Sequence, residues 1–207
     1  SPVFGKNRTR KVKASDFIYS FNRLSDTKVA SPGSWVLQQV KEYKALDEFS
    51  LLIKLKKPFP AFLGLLSMRY CAVVPKEVVE HFGANFRSNP VGTGPFYFKR
   101  WDENVKLVLR KNPTYFEFDS QGERLPYLES IAIQFIPDIQ SEFMLFLQGK
   151  LDFINSLDSS YKDELLTPIG ELQPKYKEQL TMLKGPYLNT EYIVFYLESA
   201  NPAIQSK

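Results

Sequence analysis

The 207-residue sequence predicts a mixed α/β (α+β) fold, in which short strands and helices alternate along the chain. Apolar residues recur at helical spacing between Phe17 and Leu24, whereas they alternate at strand spacing between Phe49 and Leu55. The apolar content of 43% is sufficient for a buried core. We therefore expect a folded chain with mixed sheets and flanking helices.

The first half begins with a predicted helix that Ser15 caps and that extends to about Leu24. A loop at Ser25–Ser34 precedes two strands, Val40–Ala45 and Phe49–Leu55, which form a hairpin around Asp47 and Glu48. The remaining predicted elements are a short helix at Ala61–Leu66, a buried strand at Tyr70–Val74, and a helix from Pro75 to Gly83.

The second half opens on the Gly- and Pro-rich segment Asn89–Pro95, which demands a tight backbone course before a strand. We expect at least one of Gly92 and Gly94 to adopt a positive φ. The elements predicted after it are a hairpin of a strand from Phe96 with Lys106–Arg110, a strand through Ile131, Ile133 and Phe135, a helix from Asp138 closed by Gly149, a strand at Leu151–Ile154, a helix at Ser159–Leu166, and strands at Leu180–Leu183 and Tyr192–Leu197.

Charge and apolar patterning exclude several classes of protein. The net charge of +4 is spread along the chain, and the one basic run, Lys6 to Lys13, is typical of a solvated loop rather than of a nucleic-acid or anionic-lipid patch. No segment has the run of about twenty apolar residues that a membrane span needs. Any membrane attachment is therefore expected only through a lipid anchor outside this chain.

No constellation for catalysis, metal binding or a cofactor is visible. The single histidine, His81, lies in a predicted helix without a partner nucleophile, and the single cysteine, Cys71, is expected in the core. Gly92-Thr93-Gly94 precedes a strand and lacks the residues of a phosphate-binding loop, so we assign it to architecture. We predict no catalytic residue, no metal site and no cofactor.

The segment Lys13–Leu24 resembles the first-helix motif of the family 5 extracellular solute-binding proteins, which are the oligopeptide, dipeptide and nickel receptors of ABC importers. Seven further motifs follow in that family's order: Ala30–Pro32, Leu55–Pro60, Val73–Glu77, Val91–Phe96, Asn112–Phe116, Leu125–Glu129 and Gly149–Asp152. Each motif is weak alone, but together they extend over most of the chain. Two departures, at Asn7–Val12 and at Tyr196-Leu197, leave the ligand class open between peptide, sugar and metal chelate.

The resemblance implies a fragment of a periplasmic-binding-protein-like fold (type II, cluster C), because the family's proteins are longer and have two lobes and an extra small domain. By that comparison, residues 1–86 belong to the extra small domain, residues 87–187 to lobe I, and residues 188–207 to the beginning of lobe II. The implied role is extracytoplasmic binding of an oligopeptide or a similar small solute for the membrane subunits of an ABC importer. The implied location is the periplasm or the cell surface, with a lipoprotein as one form.

Five residues align with positions that line the ligand cleft in the resembled family: Ser34, Trp35, Tyr187, Asn189 and Tyr192. The alternative for Trp35 and Tyr192 is that both are ordinary core aromatics. Two other functions remain as alternatives, a peptide- or ester-hydrolysing enzyme and a nucleic-acid or surface module that uses the basic run at Lys6–Lys13. We further expect the 207 residues alone to bind peptide weakly, because they would supply only part of the two walls of the cleft.

Overall fold

The structure is a computed structural model, and it describes residues 1–155, 157–186 and 189–194. The chain divides into two compact units, Ser1–Pro137 and Asp138–Lys207. Their border falls within the predicted lobe I segment, and the assignment of segments to lobes and extra domain stays a prediction. The helices are α1 (Ala14–Ser25), α2 (Phe62–Leu66), α3 (Lys76–Phe82), α4 (Ile139–Leu147) and α5 (Lys162–Leu165), and the strands are β1 (Val40–Ala45), β2 (Leu51–Leu55), β3 (Phe96–Asp102), β4 (Lys106–Lys111) and β5 (Ser130–Gln134).

Helix α1 confirms the helix predicted from periodicity, with a different cap. It begins one residue before Ser15, and the carboxylate of Asp16 accepts a hydrogen bond of 2.8 Å from the backbone N–H of Lys13. Its apolar face places Phe21 and Leu24 in the core of the first unit. Burial of each such side chain contributes about 1.5–3 kcal/mol, so this face holds the helix in place.

The predicted hairpin is formed by β1 and β2, which pair antiparallel with Tyr43 opposite Ile53. Asp47 forms the turn, because its carboxylate accepts hydrogen bonds of 2.8 Å from the backbone N–H groups of Phe49 and Ser50. Tyr43 lies edge-on to Phe21, with 5.3 Å between the ring centroids. The hairpin therefore packs on the apolar face of α1.

The predicted strand at Tyr70–Val74 is wrong. Residues Arg69–Cys71 form a 3-10 turn, here called the Tyr70 turn, and the backbone N–H of Val74 donates to the hydroxyl of Ser20 at 2.9 Å. The local bonds of the turn and the distant bond to Ser20 satisfy backbone groups that a strand would pair with a neighbouring strand. Cys71 is buried in the core, as predicted, and burial raises the pKa of its thiol.

Strands β3, β4 and β5 form an antiparallel sheet in sequential order, which confirms three predicted strands. The prediction of a positive φ in the preceding loop is wrong, because neither Gly92 nor Gly94 adopts one. Asn112 fixes that loop instead, by donating from its side chain to the carbonyl of Gly94 at 2.9 Å and from its backbone to the carbonyl of Pro95 at 2.8 Å. The left-handed backbone that we expected there occurs elsewhere, for example at Gly122 with φ 87°.

The second unit contains α4 and α5 and few paired backbone segments. Asp138 caps α4 as predicted, and Gly149 follows the helix with φ 68°. The predicted helix at Ser159–Leu166 is a 3-10 turn followed by the short α5. The predicted strands at Leu151–Ile154 and Leu180–Leu183 are absent from this described part of the chain, as is a strand at residues 192–194, while residues 195–197 lie outside the described residues. An extended segment needs a neighbouring strand to become one, and the second unit shows a single isolated bridge, Leu166 with Leu172, among its described residues.

Candidate functional site

Two of the predicted ligand-binding residues, Ser34 and Trp35, begin a 3-10 turn at Ser34–Gln39, here called the Trp35 turn. The next two side chains of the turn, Val36 and Leu37, are buried in the core. This leaves Ser34 and Trp35 directed outward, with Trp35 43% exposed. The alternative that Trp35 is a core aromatic is therefore wrong, and the turn presents an aromatic surface and a hydroxyl side by side.

The Trp35 turn starts from a very close contact between Gly33 and Tyr70. An ideal Cβ atom on Gly33 would lie 2.3 Å from Cβ of Tyr70, so no other residue fits at this position without displacement. The φ of Gly33 is −93°, which is an unstrained value. Its backbone N–H donates to the hydroxyl of Ser31 at 3.3 Å. The start of the turn is thus fixed by packing and by a local hydrogen bond.

The second group of predicted residues belongs to the second unit. Tyr192 is 79% exposed in an extended segment, so the core-aromatic alternative is wrong for it too. The side chain of Asn189 is exposed and donates to the carboxylate of Glu191 at 3.4 Å. Tyr187 lies outside the described residues. Ser34 with Trp35, and Asn189 with Tyr192, are thus two exposed polar-aromatic pairs, each described within its own unit.

An open groove that sequence reasoning missed lies between the outer face of α1 and β1, with a volume of about 500 Å³. Its floor is mostly apolar, and the hydroxyl of Tyr43 donates to the side-chain oxygen of Asn22 at 2.6 Å across one end. The spacing of the residues on this second face of the helix is the sequence signal that would have indicated it. The groove is lined by Ser15, Ile18, Tyr19, Asn22, Tyr43, Lys44 and Ala45.

Arg10 departs from the solvated loop that the basic run predicts, whereas the other residues from Lys6 to Lys13 are exposed as expected. Its guanidinium forms a two-pronged ion pair with Asp16, at 2.8 and 2.7 Å, and also binds Glu77 through two nitrogens. These hydrogen bonds hold the pKa of Asp16 and of Glu77 below their ordinary values and raise the pKa of Arg10. Arg10 is therefore neutralised by ion pairs within the protein, and these pairs join the N-terminal segment to α1 and α3.

The described residues offer little to catalysis or to a metal ion. His81 is exposed and lies edge-on to Phe82, with 4.7 Å between the rings. Across residues 1–155, 157–186 and 189–194, no group of three His, Cys, Asp or Glu side chains could hold a metal ion. No helix in the same ranges has the length and apolar character needed to cross a membrane.

Comparison with known proteins assigns the chain to a protein family. The family model described as "Bacterial extracellular solute-binding proteins, family 5 Middle" matches residues 9–206. The chain belongs to this family. The family consists of solute-binding proteins rather than enzymes, and the fold predicted from the resemblance, a periplasmic-binding-protein-like arrangement of mixed sheets and helices, is confirmed by solved structures of the same type.

Three similar proteins differ in the ligands with which they are named or were solved. The periplasmic oligopeptide-binding protein OppA of Salmonella typhimurium is 34% identical, over 51% of this chain and 23% of OppA. The periplasmic binding protein DppA of Helicobacter pylori, which is associated with an ABC transporter and was solved with the peptide STSA, is 25% identical with a TM-score of 0.63, over 77% of this chain and 34% of DppA. The solute-binding protein MoaA of A. tumefaciens R10, solved with mannopinic acid, is 26% identical with a TM-score of 0.65, over 77% of this chain and 31% of MoaA. The chain thus spans about a quarter to a third of the length of these relatives.

Proposed function

We propose that the chain is part of an extracytoplasmic receptor that binds a peptide for import by an ABC transporter. The observation that carries the proposal is the family match over residues 9–206. The periplasmic OppA and the peptide-bound DppA favour a peptide as the ligand and a location outside the cytoplasm. The partners in this role are the membrane subunits of the importer.

Within this chain, we assign contact with the ligand to Ser34 and Trp35, and to the pair Asn189 and Tyr192 in the second unit, with Tyr187 as the fifth predicted residue. Exposed aromatic rings beside hydroxyl and amide groups suit a peptide, since a ring covers the apolar side chain while the polar group binds the backbone. The structural neighbour MoaA was solved with mannopinic acid, so not every similar protein is solved with a peptide. We place peptide first, because OppA and DppA both stand among the relatives.

The two alternatives from sequence analysis lose support from the site geometry. A hydrolase using Cys71 would need an exposed thiolate, and burial instead raises the pKa of this thiol. A nucleic-acid surface on the basic run loses two of its cations, because Arg10 is paired internally and the ammonium of Lys13 lies 2.9 Å from the carboxylate of Glu48.

A nuclear magnetic resonance titration with the peptide STSA tests the proposal. The two tryptophans give two indole N–H signals, so Trp101, which lies under the guanidinium of Arg87 at 4.3 Å, serves as an internal control for Trp35. We expect the Trp35 signal to shift with a dissociation constant on the order of 1 mM or weaker, while the Trp101 signal stays in place. Equal shifts of both signals, or no shift at Trp35 with peptide at about 20 mM, would contradict the proposal.

A further inference from the structure

The contact between Gly33 and Tyr70 has no explanation in backbone conformation. The φ of Gly33 is −93°, a value that any residue adopts, so this glycine is not needed for a left-handed turn. Its missing side chain is explained by space alone. A Cβ atom there would lie 2.3, 2.4 and 2.9 Å from Cβ, Cγ and Cδ1 of Tyr70, all closer than real Cβ contacts.

Tyr70 cannot relieve this contact by rotating its side chain. The nearest atom is its Cβ, whose position is set by the backbone and not by the side-chain torsion. The backbone is in turn held by the Tyr70 turn, where Cys71 is buried in the core and its N–H donates to the carbonyl of Met68 at 2.9 Å. The guanidinium of Arg69 also lies over the Tyr70 ring, 5.5 Å from its centroid.

The Trp35 turn is held equally firmly on its other side. Val36 is fully buried, Leu37 is buried beside it, and the N–H of Val36 donates to the carbonyl of Gly33 at 3.1 Å. A displacement at Gly33 therefore passes to its less firmly held neighbours, which include Ser34 and Trp35. To restore an ordinary contact distance with a side chain at position 33, the backbone there must move by about 1 Å.

We propose that Gly33 and Tyr70 are positioning residues for the ligand-binding site, which fix the place of Ser34 and Trp35 through the close approach of Gly33 to the Tyr70 ring. The inference rests on the proposed function, since it assigns these two residues a role in that same site. A displacement of about 1 Å at a contact residue is enough to lower affinity on the order of 10-fold.

The test compares Gly33→Ala with Gly64→Ala, a matched control because Gly64 has no atom within 4 Å of its ideal Cβ and no positive φ. In the same indole titration with STSA, Gly33→Ala should move the Trp35 signal before any peptide is added. It should also reduce the peptide-induced shift on the order of 10-fold at equal peptide concentration. Gly64→Ala should match the wild type in both respects, and the methyl signals of Val36 should report that the core is unchanged.

Tyr70→Ala provides a second variant should Gly33→Ala not fold, because it removes Cγ and Cδ1 of the ring that meets Gly33 and leaves only Cβ in place. We expect it to weaken the peptide-induced shift of Trp35 while the Val36 methyl signals remain. If either folded variant leaves the Trp35 signal and its peptide response as in the wild type, the inference is overturned. If the wild-type Trp35 signal does not shift with peptide, the proposed function fails. The positioning of Trp35 by Gly33 is then tested separately, by whether the Trp35 signal of peptide-free Gly33→Ala differs from that of the wild type.

Discussion

Replacing Arg10 by alanine should destabilise the first unit more than any other change in the basic run. Five hydrogen bonds use the five N–H donors of this guanidinium, two to Asp16, two to Glu77 and one to the carbonyl of Lys11. The substitution removes them all at once. The partner that suffers is Asp16, whose side chain is only 8% exposed and would keep its charge in the interior with one backbone N–H as partner.

The magnitude follows from the exposure of the two carboxylates. Removing one partner of a buried ion pair costs about 3–5 kcal/mol, and the guanidinium of Arg10 is partly exposed, so we expect about 2–4 kcal/mol from Asp16. Glu77 is 41% exposed and should add at most about 0.5 kcal/mol. Arg10→Lys should recover less than half of the loss, because an ammonium group cannot form the two-pronged pair.

Urea denaturation followed by tryptophan fluorescence measures the change, since both tryptophans lie in the first unit. Lys6→Ala is the control: Lys6 is exposed in the same basic run and joins none of the ion pairs that the described residues form, so its change should stay within about 0.5 kcal/mol. If Arg10→Ala and Lys6→Ala gave the same free energy of unfolding, the reasoning about a buried, paired Asp16 would be refuted.

Three further outcomes are expected. The hydrogen bonds from Arg10 lower the pKa of Asp16 and of Glu77 in the folded state, so the stability that these two carboxylates contribute is present above their ordinary pKa values of 3.8 and 4.5. This stability is lost as the pH falls through the lowered pKa values. The free energy of unfolding should therefore fall less steeply with acid in Arg10→Ala than in the wild type, and parallel curves would contradict this. Gly92→Val should change the free energy of unfolding by less than about 0.5 kcal/mol, whereas Gly122→Val, at φ 87°, should lower it by at least about 1 kcal/mol. Equal thermal midpoints of the two variants would contradict the assignment of left-handed backbone strain to position 122. Calorimetry with di- to pentapeptides should show no saturable micromolar isotherm for the 207 residues, which correspond to about a third of DppA; a micromolar isotherm would mean that they hold the complete cleft.

Elements that depend on neighbours in sequence were predictable. The helical spacing between Phe17 and Leu24 indicated α1, and the Asp47 turn between alternating runs indicated the β1–β2 hairpin. Asp138 and Gly149 likewise marked the two ends of α4. The hydrogen bonds of the helices close within about four residues, and those of the hairpin join two strands that adjoin in sequence, so the local sequence contains the information.

The failed predictions share a physical cause. A strand at Tyr70–Val74 requires a neighbouring strand, and its backbone instead found local turn bonds and the hydroxyl of Ser20, 54 residues away from Val74. The φ values of Gly92 and Gly94 depend on how Asn112 anchors the loop from the next strand's end. Both outcomes depend on contacts between distant parts of the chain, which composition and spacing do not specify.

The candidate site likewise combines features that the sequence determines with features that only the tertiary structure decides. The sequence by itself determined the family motifs and pointed to Ser34 and Trp35, since these follow from the order of residues along the chain. Only the tertiary structure decided that Trp35 is exposed, that Tyr70 holds Gly33 from the other side, and that Arg10 is paired with Asp16 and with Glu77, 67 residues away. Exposure, close approach and ion pairing are properties of residues brought together by folding, because each depends on which atoms lie within a few ångströms and not on which residues adjoin in sequence.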